Sequence, residues 1–65
     1  MGVYENIKDI CEKRKLPISR LEADADIANG IIGHWKHATP RLNSLIKVAE
    51  ALDVPVEALL YGEKK

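Results

Sequence analysis

Apolar residues along this chain recur at helical spacing, and no stretch alternates as a strand does. Val3, Ile7, Ile10 and Cys11 place one stripe on a first helix from about Tyr4 to Arg14. The Lys13-Arg14-Lys15 run suits its C-terminal end, where cations meet the negative pole of the helix dipole. Pro17 excludes Leu16 from helical geometry, so the chain breaks before a second helix starting near Ile18 or Ser19. Ser19 and Glu22 have the spacing of a capping box. On this short helix Leu21 and Ala25 form the inward face, Arg20, Glu22, Ala23 and Asp24 face mostly outward, and Asp26 to Ala28 make a tight connection.

A third helix is expected from Ala28 or Asn29 to His37, with Ile31, Ile32 and Trp35 inward and poor caps. Thr39-Pro40 reads as a restart, a capping hydroxyl followed by proline at the first helical position. The fourth helix has the strongest pattern: Leu42, Leu45, Ile46, Ala49 and Leu52 on an apolar face, Asn43, Lys47 and Glu50 on a polar one. Val54 and Pro55 interrupt the pattern, and Val56 to Tyr61 make a last short helix closed by Gly62, with a charged tail behind. The pattern predicts a compact all-α fold of five helices in a single domain over residues 1–65.

Sixty-five residues support one modest core and leave no room for a deep substrate cavity beside it, so an enzyme is not expected. The lone Cys11 forms no internal disulfide, which points to a reducing compartment. No apolar run approaches a membrane span, and Met1-Gly2-Val3-Tyr4-Glu5 lacks the basic start of a secretory signal; a cytoplasmic protein without a membrane partner is expected. Ten basic residues balance ten acidic ones, so there is no global attraction to nucleic acid. DNA responds instead to the charge on one face, and the acids can lie on the other.

Leu21-Glu22, Ile27-Ala28-Asn29-Gly30 and Ile32-Gly33-His34-Trp35 are followed by Pro40, Leu45, Lys47-Val48-Ala49, Leu52, Val54 and Leu59-Leu60. Together, from Leu16 to Leu60, they resemble the lambda-repressor/Cro-type helix-turn-helix family, in particular small regulators of Gram-positive bacteria and their phages. The resemblance implies a five-helix lambda-repressor-like DNA-binding domain with its motif at about residues 18–37, acting as a transcriptional regulator of the repressor kind. In such a motif one helix lies across the duplex backbone and the next enters the major groove. Here the helices containing Leu21 and Trp35 take those places, and Leu21, Ala25, Ile32 and Trp35 form the wedge between them.

The chain also departs from the family. Asp26 stands where a glycine is frequent in the turn, which strains the turn slightly. Ile18 stands where a glutamine commonly touches phosphate. Many relatives pair an arginine at the Cys11 position with an acid at the Lys36 position; both are absent here, so Cys11 is read as apolar packing near the Lys36 stem.

On a wheel centred on Ile32 and Trp35, the outward residues are Asn29, Gly30, Gly33, His34 and His37, with Lys36 at the flank. Asn29 either caps the helix or reads adenine, a contact worth about 1–3 kcal/mol of discrimination. Gly30 and Gly33 each cost about 1 kcal/mol against alanine in a helix interior. Either their bare face admits base edges and thymine methyls, or it marks a weakened reading head. His34 and His37 share a face, but two ligands do not make a metal site, and no metal or cofactor is expected. Hydrogen bonds from their imidazoles to DNA would make binding pH-sensitive. Lys36, His37, Arg41 and Arg20, together with the Lys13 to Lys15 run, are candidates for phosphate contacts, with solvated surface charge as the alternative.

One reading helix covers few base pairs, so a homodimer on a palindromic operator is expected, with Val56, Leu60 and Tyr61 as its interface; the alternative is that these residues complete the monomer core, as Leu59 is expected to do. No small-molecule effector pocket is legible. The rival reading is a protein-interaction module, an antitoxin or adaptor, that kept the fold and lost DNA binding; neutral charge, Asp26, Ile18 and the two glycines favour it. An enzyme reading rests only on Cys11, Ser19 or Ser44 with no base beside them.

Overall fold

The computed structural model describes residues 2–62, within which the chain forms five helices and no strand. They are α1 (Val3–Arg14), α2 (Ile18–Asp24), α3 (Ile31–His34), α4 (Leu42–Leu52) and α5 (Val56–Tyr61). The core is continuous: Ile7, Ile10 and Cys11 from α1 meet Leu21, Ala25, Ile32, Trp35, Leu45, Val48, Ala49, Leu52 and Leu59. α5 packs on α1 and α4, and α2 packs on α4 and α3. No helix among the described residues is long and apolar enough to cross a membrane.

Four helices lie close to the spans the periodicity predicts, and the third does not. α3 is a single turn, Ile31–His34, and residues 35–37 continue as turns instead of helix. Gly30 occupies its N-cap at φ +90, so Asn29 and Gly30 precede the helix and do not lie on its outward face. A helical span interrupted by Gly30 and Gly33 has too little propensity to hold more than one turn by itself.

Two sequence expectations about starts are corrected. Pro17 is the N-cap of α2, which leaves Ser19 inside the first turn and Glu22 elsewhere engaged, so no capping box forms. Arg41 is the N-cap of α4, so Thr39-Pro40 lies before the helix and does not start it. None of the five N-cap residues makes a side-chain cap hydrogen bond.

α4 is rotated from its expected register. Leu45, Val48, Ala49 and Leu52 are buried, while Leu42 and Ile46 are 64% and 38% exposed. α4 packs on both α2 and α5, and the face it buries, Leu45, Val48, Ala49 and Leu52, leaves Leu42 and Ile46 toward solvent.

α1, α2 and α4 end in the same way, each with a non-glycine residue in the left-handed region. Lys15 (φ 55), Asp26 (φ 59) and Asp53 (φ 58) each donate their N–H to a carbonyl three residues back. The next residue in each case, Leu16, Ile27 or Val54, donates to the carbonyl five residues back, on Cys11, Glu22 or Ala49. This is the Schellman closure, and the apolar residue after each left-handed position packs against the core. The end of α4 has a further acceptor satisfied, because the Arg14 guanidinium donates to the Leu52 carbonyl oxygen.

Candidate nucleic-acid interface

The unit from α2 through the turn to α3 is held by burial below and by one side chain above. Leu21, Ala25, Ile32 and Trp35 are all buried in one core, as expected of them as inward residues. Ile31 is half-buried against the same core. Glu22, expected to face outward, is instead 3% exposed. One carboxylate oxygen accepts the Gly30 N–H at 2.9 Å and the other accepts the Ile32 N–H at 3.0 Å. These donors belong to the start of α3, where backbone N–H groups have no partner within the helix. Glu22 therefore does for α3 what its N-cap residue does not.

The turn between the helices carries two backbone conformations of positive φ, at Asp26 and at Gly30. Asp26 holds the left-handed position as a non-glycine residue, the mild strain the sequence implies. Asn29 lies in the turn, exposed, with Gly30 in the cap position beside it. The α3 cap is therefore Gly30 and not Asn29.

On α3 itself Gly33 and His34 are exposed. A Cβ built on Gly33 would meet nothing within 4 Å, and Gly33 has ordinary helical φ, so neither crowding nor backbone geometry calls for a glycine there. Gly30 is likewise uncrowded, but its φ of +90 does call for one. Of the two glycines that the sequence leaves unexplained, the fold accounts for Gly30 and leaves Gly33 without an internal reason.

No family model, no curated protein and no solved structure matches this chain. The surface must therefore be read from its own geometry. Beyond α3, Lys36, His37 and Arg41 are exposed, and among the described residues neither Lys36 nor Arg41 is paired with a carboxylate. The Lys36 ammonium lies 5.0 Å from the centroid of the Tyr4 ring, a cation–π contact on α1. Lys36 and His37 also line a shallow cleft of about 280 Å³ with Gly2, Val3 and Thr39, so this pair sits beside the start of α1. Arg20 is exposed on α2 and reaches Asp24 at 3.3 Å, one turn on. An exposed pair of this kind contributes little, about 0.3–0.5 kcal/mol, and leaves Arg20 available to another anion.

Ile18 is half-buried against the core. Cys11 is buried, as its place on the α1 stripe requires, and desolvation raises its thiol pKa against a smaller lowering by Arg14. The cleft beside it, lined by Lys8, Glu12, Lys15, Leu16, Pro17 and Ile18, brings no histidine to the sulfur. Among the described residues no group of three or more His, Cys, Asp or Glu side chains is placed to hold a metal ion.

Of the residues expected at a dimer interface, Val56 and Leu60 are half-buried and packed against the core, while Tyr61 is 74% exposed. Leu59 is fully buried. Leu42 and Ile46, expected on the apolar face of α4, are exposed and lie one turn apart. The signal for them was available, since Val48 competes for the same helix face and completes a tighter stripe with Leu45, Ala49 and Leu52.

Proposed function

We propose that this chain is a sequence-specific double-stranded DNA-binding transcriptional regulator of the lambda-repressor/Cro type, with α2 crossing the duplex backbone and the Asn29–His34 stretch at the major groove. The observation that carries this reading is Gly33. It is exposed, helical and uncrowded, and alanine there would favour the helix by up to about 1 kcal/mol. A residue that weakens its own helix without an internal reason is accounted for by something outside the chain that must approach closely. A base edge or thymine methyl in the major groove meets that description.

In this reading Asn29 and His34 supply directional contacts to base edges around the bare surface at Gly30 and Gly33. Arg20, His37 and Arg41 contact phosphates, which fix register without reading sequence. Lys36 adds positive potential from its place over Tyr4. Tyr61, with the outer parts of Val56 and Leu60, joins two copies on a palindromic operator.

A second reading, a protein-interaction module of the antitoxin or adaptor kind, is favoured by Leu42. At 64% exposure it is a large apolar side chain on the most regular amphipathic helix, largely uncovered by the described residues.

Selection from a random duplex library at two salt concentrations separates the readings. Enrichment of a palindrome whose binding weakens with salt, and whose preference relaxes in Asn29→Ala, supports the regulator. Absence of binding to any duplex at low salt supports the interaction module.

A further inference from the structure

Among the described residues three polar side chains reach across the fold to distant backbone groups, Asn6 to Leu59, Arg14 to Leu52 and Glu22 to the start of α3, and of these only Glu22 is an acid. Glu22 is a carboxylate with 3% exposure, on a helix whose remaining acid, Asp24, is exposed to water. Burying such a group is unfavourable unless its oxygens are satisfied, and here each oxygen takes one backbone N–H, from Gly30 at 2.9 Å and from Ile32 at 3.0 Å. The two donors flank Ile31, the first residue of α3.

α3 has four residues, a single turn that cannot hold its shape by its own hydrogen bonds. Ile32 and Trp35 anchor it from below by burial, but apolar burial is non-directional and leaves rotation about the helix axis loosely defined. Two directed hydrogen bonds from one rigid neighbour remove that freedom. They also require the turn before α3 to bring the Gly30 N–H inward, which its φ of +90 accomplishes. Asn29, Gly33 and His34 are exposed on either side of the two clamped amides.

We infer that Glu22 is a positioning residue, clamping the start of α3 so that Asn29, Gly33 and His34 meet duplex DNA as one fixed surface. This rests on the DNA-reading function proposed above. Phosphate contacts from Arg20 and Arg41 lie outside the clamped turn, so the clamp governs discrimination between sequences and leaves general attraction to duplex DNA unchanged.

Glu22→Gln tests the assignment with almost no change of volume. An amide offers one carbonyl oxygen to one N–H and sets its own NH2 against the other, donor against donor. In the free protein, amide hydrogen exchange at Gly30 and Ile32 is expected to accelerate about tenfold or more relative to the slowest amides of α1 and α4, as loss of a charge-assisted bond implies. On a duplex enriched by the parent, the ratio of specific to random-duplex affinity is expected to fall about tenfold while random-duplex affinity at low salt stays within about twofold. Unchanged exchange at the two amides, or an unchanged ratio, overturns the assignment.

A parent that prefers no duplex defeats the DNA reading instead. The clamp is then decided by exchange alone, faster exchange supporting it and unchanged exchange overturning it. Should Glu22→Gln fail to fold, scalar coupling across the hydrogen bonds from the Gly30 and Ile32 nitrogens to the Glu22 carboxyl carbon can be measured in the parent. Its presence supports the clamp and its absence overturns it.

Discussion

The Asn6 side-chain NH2 donates to the Leu59 carbonyl across 2.8 Å, joining the first helix to the last through a buried hydrogen bond. Its own carbonyl oxygen is buried without a partner among the described residues, and a Cβ on Gly62 would lie 3.4 Å from it. The end of α5 is thus fitted closely around Asn6. Replacing it with alanine leaves the Leu59 carbonyl without its donor and opens space in the core. Asn6→Ala is expected to lower the unfolding free energy by about 2 kcal/mol, read from the urea midpoint at constant slope. A loss below about 0.5 kcal/mol means the bond contributes no more than a surface contact.

Two turn positions of positive φ are expected to favour glycine, one gaining it and the other losing it. Asp26 holds φ 59 with a side chain, so Asp26→Gly relieves left-handed strain of about 1 kcal/mol, part of it offset by the greater freedom of glycine in the unfolded chain. Gly30 holds φ +90 with open space around it, so Gly30→Ala is unfavourable through backbone conformation alone, by about 1–2 kcal/mol. Gly30→Asn is expected to cost less than Gly30→Ala, because asparagine tolerates the left-handed region. Thermal melts of the three variants test the order; equal costs for alanine and asparagine would show that conformation is not what selects glycine.

Cys11 gives a pH dependence with a definite sign. Burial raises its thiol above the ordinary value of 9.0, with Arg14 opposing by a smaller amount. The folded chain then holds this proton at a pH where the unfolded chain releases it. The associated stability is complete below the ordinary thiol value and is lost as pH rises from there through the folded value. Between pH 8 and about pH 10 the parent is expected to lose more stability than Cys11→Ala, each compared with itself. Parallel pH profiles for the two proteins contradict this.

The sequence showed most of the framework and less of the surface. Pro17, Pro55 and the stripes on α1 and α5 are local signals, and the helices they predict are present nearly residue for residue. Leu21, Ala25, Ile32 and Trp35 were legible as inward residues from their spacing, and all four are buried; that they meet as one wedge was what the family resemblance implied. Glu22 was not legible. Its position on the wheel is outward, and only the return of the chain after Asp26 brings Gly30 and Ile32 over it. An acid shortly before a turn and a glycine was the available hint, but a helix wheel carries no information about the segment that follows. The short α3 was missed for a related reason. Periodicity ran from Asn29 to His37, while the two glycines within it limited what local propensity could hold.

Gly33→Ala asks whether the bare face of α3 serves a partner outside the chain. The added methyl meets nothing within 4 Å in the protein itself. The variant is therefore expected to unfold at a higher denaturant concentration than the parent, by up to about 1 kcal/mol. On the duplex enriched by the parent its affinity is expected to fall about tenfold, the scale of one lost base contact. A variant that is more stable and binds that duplex as tightly as the parent would show that the bare face at Gly33 does not meet DNA.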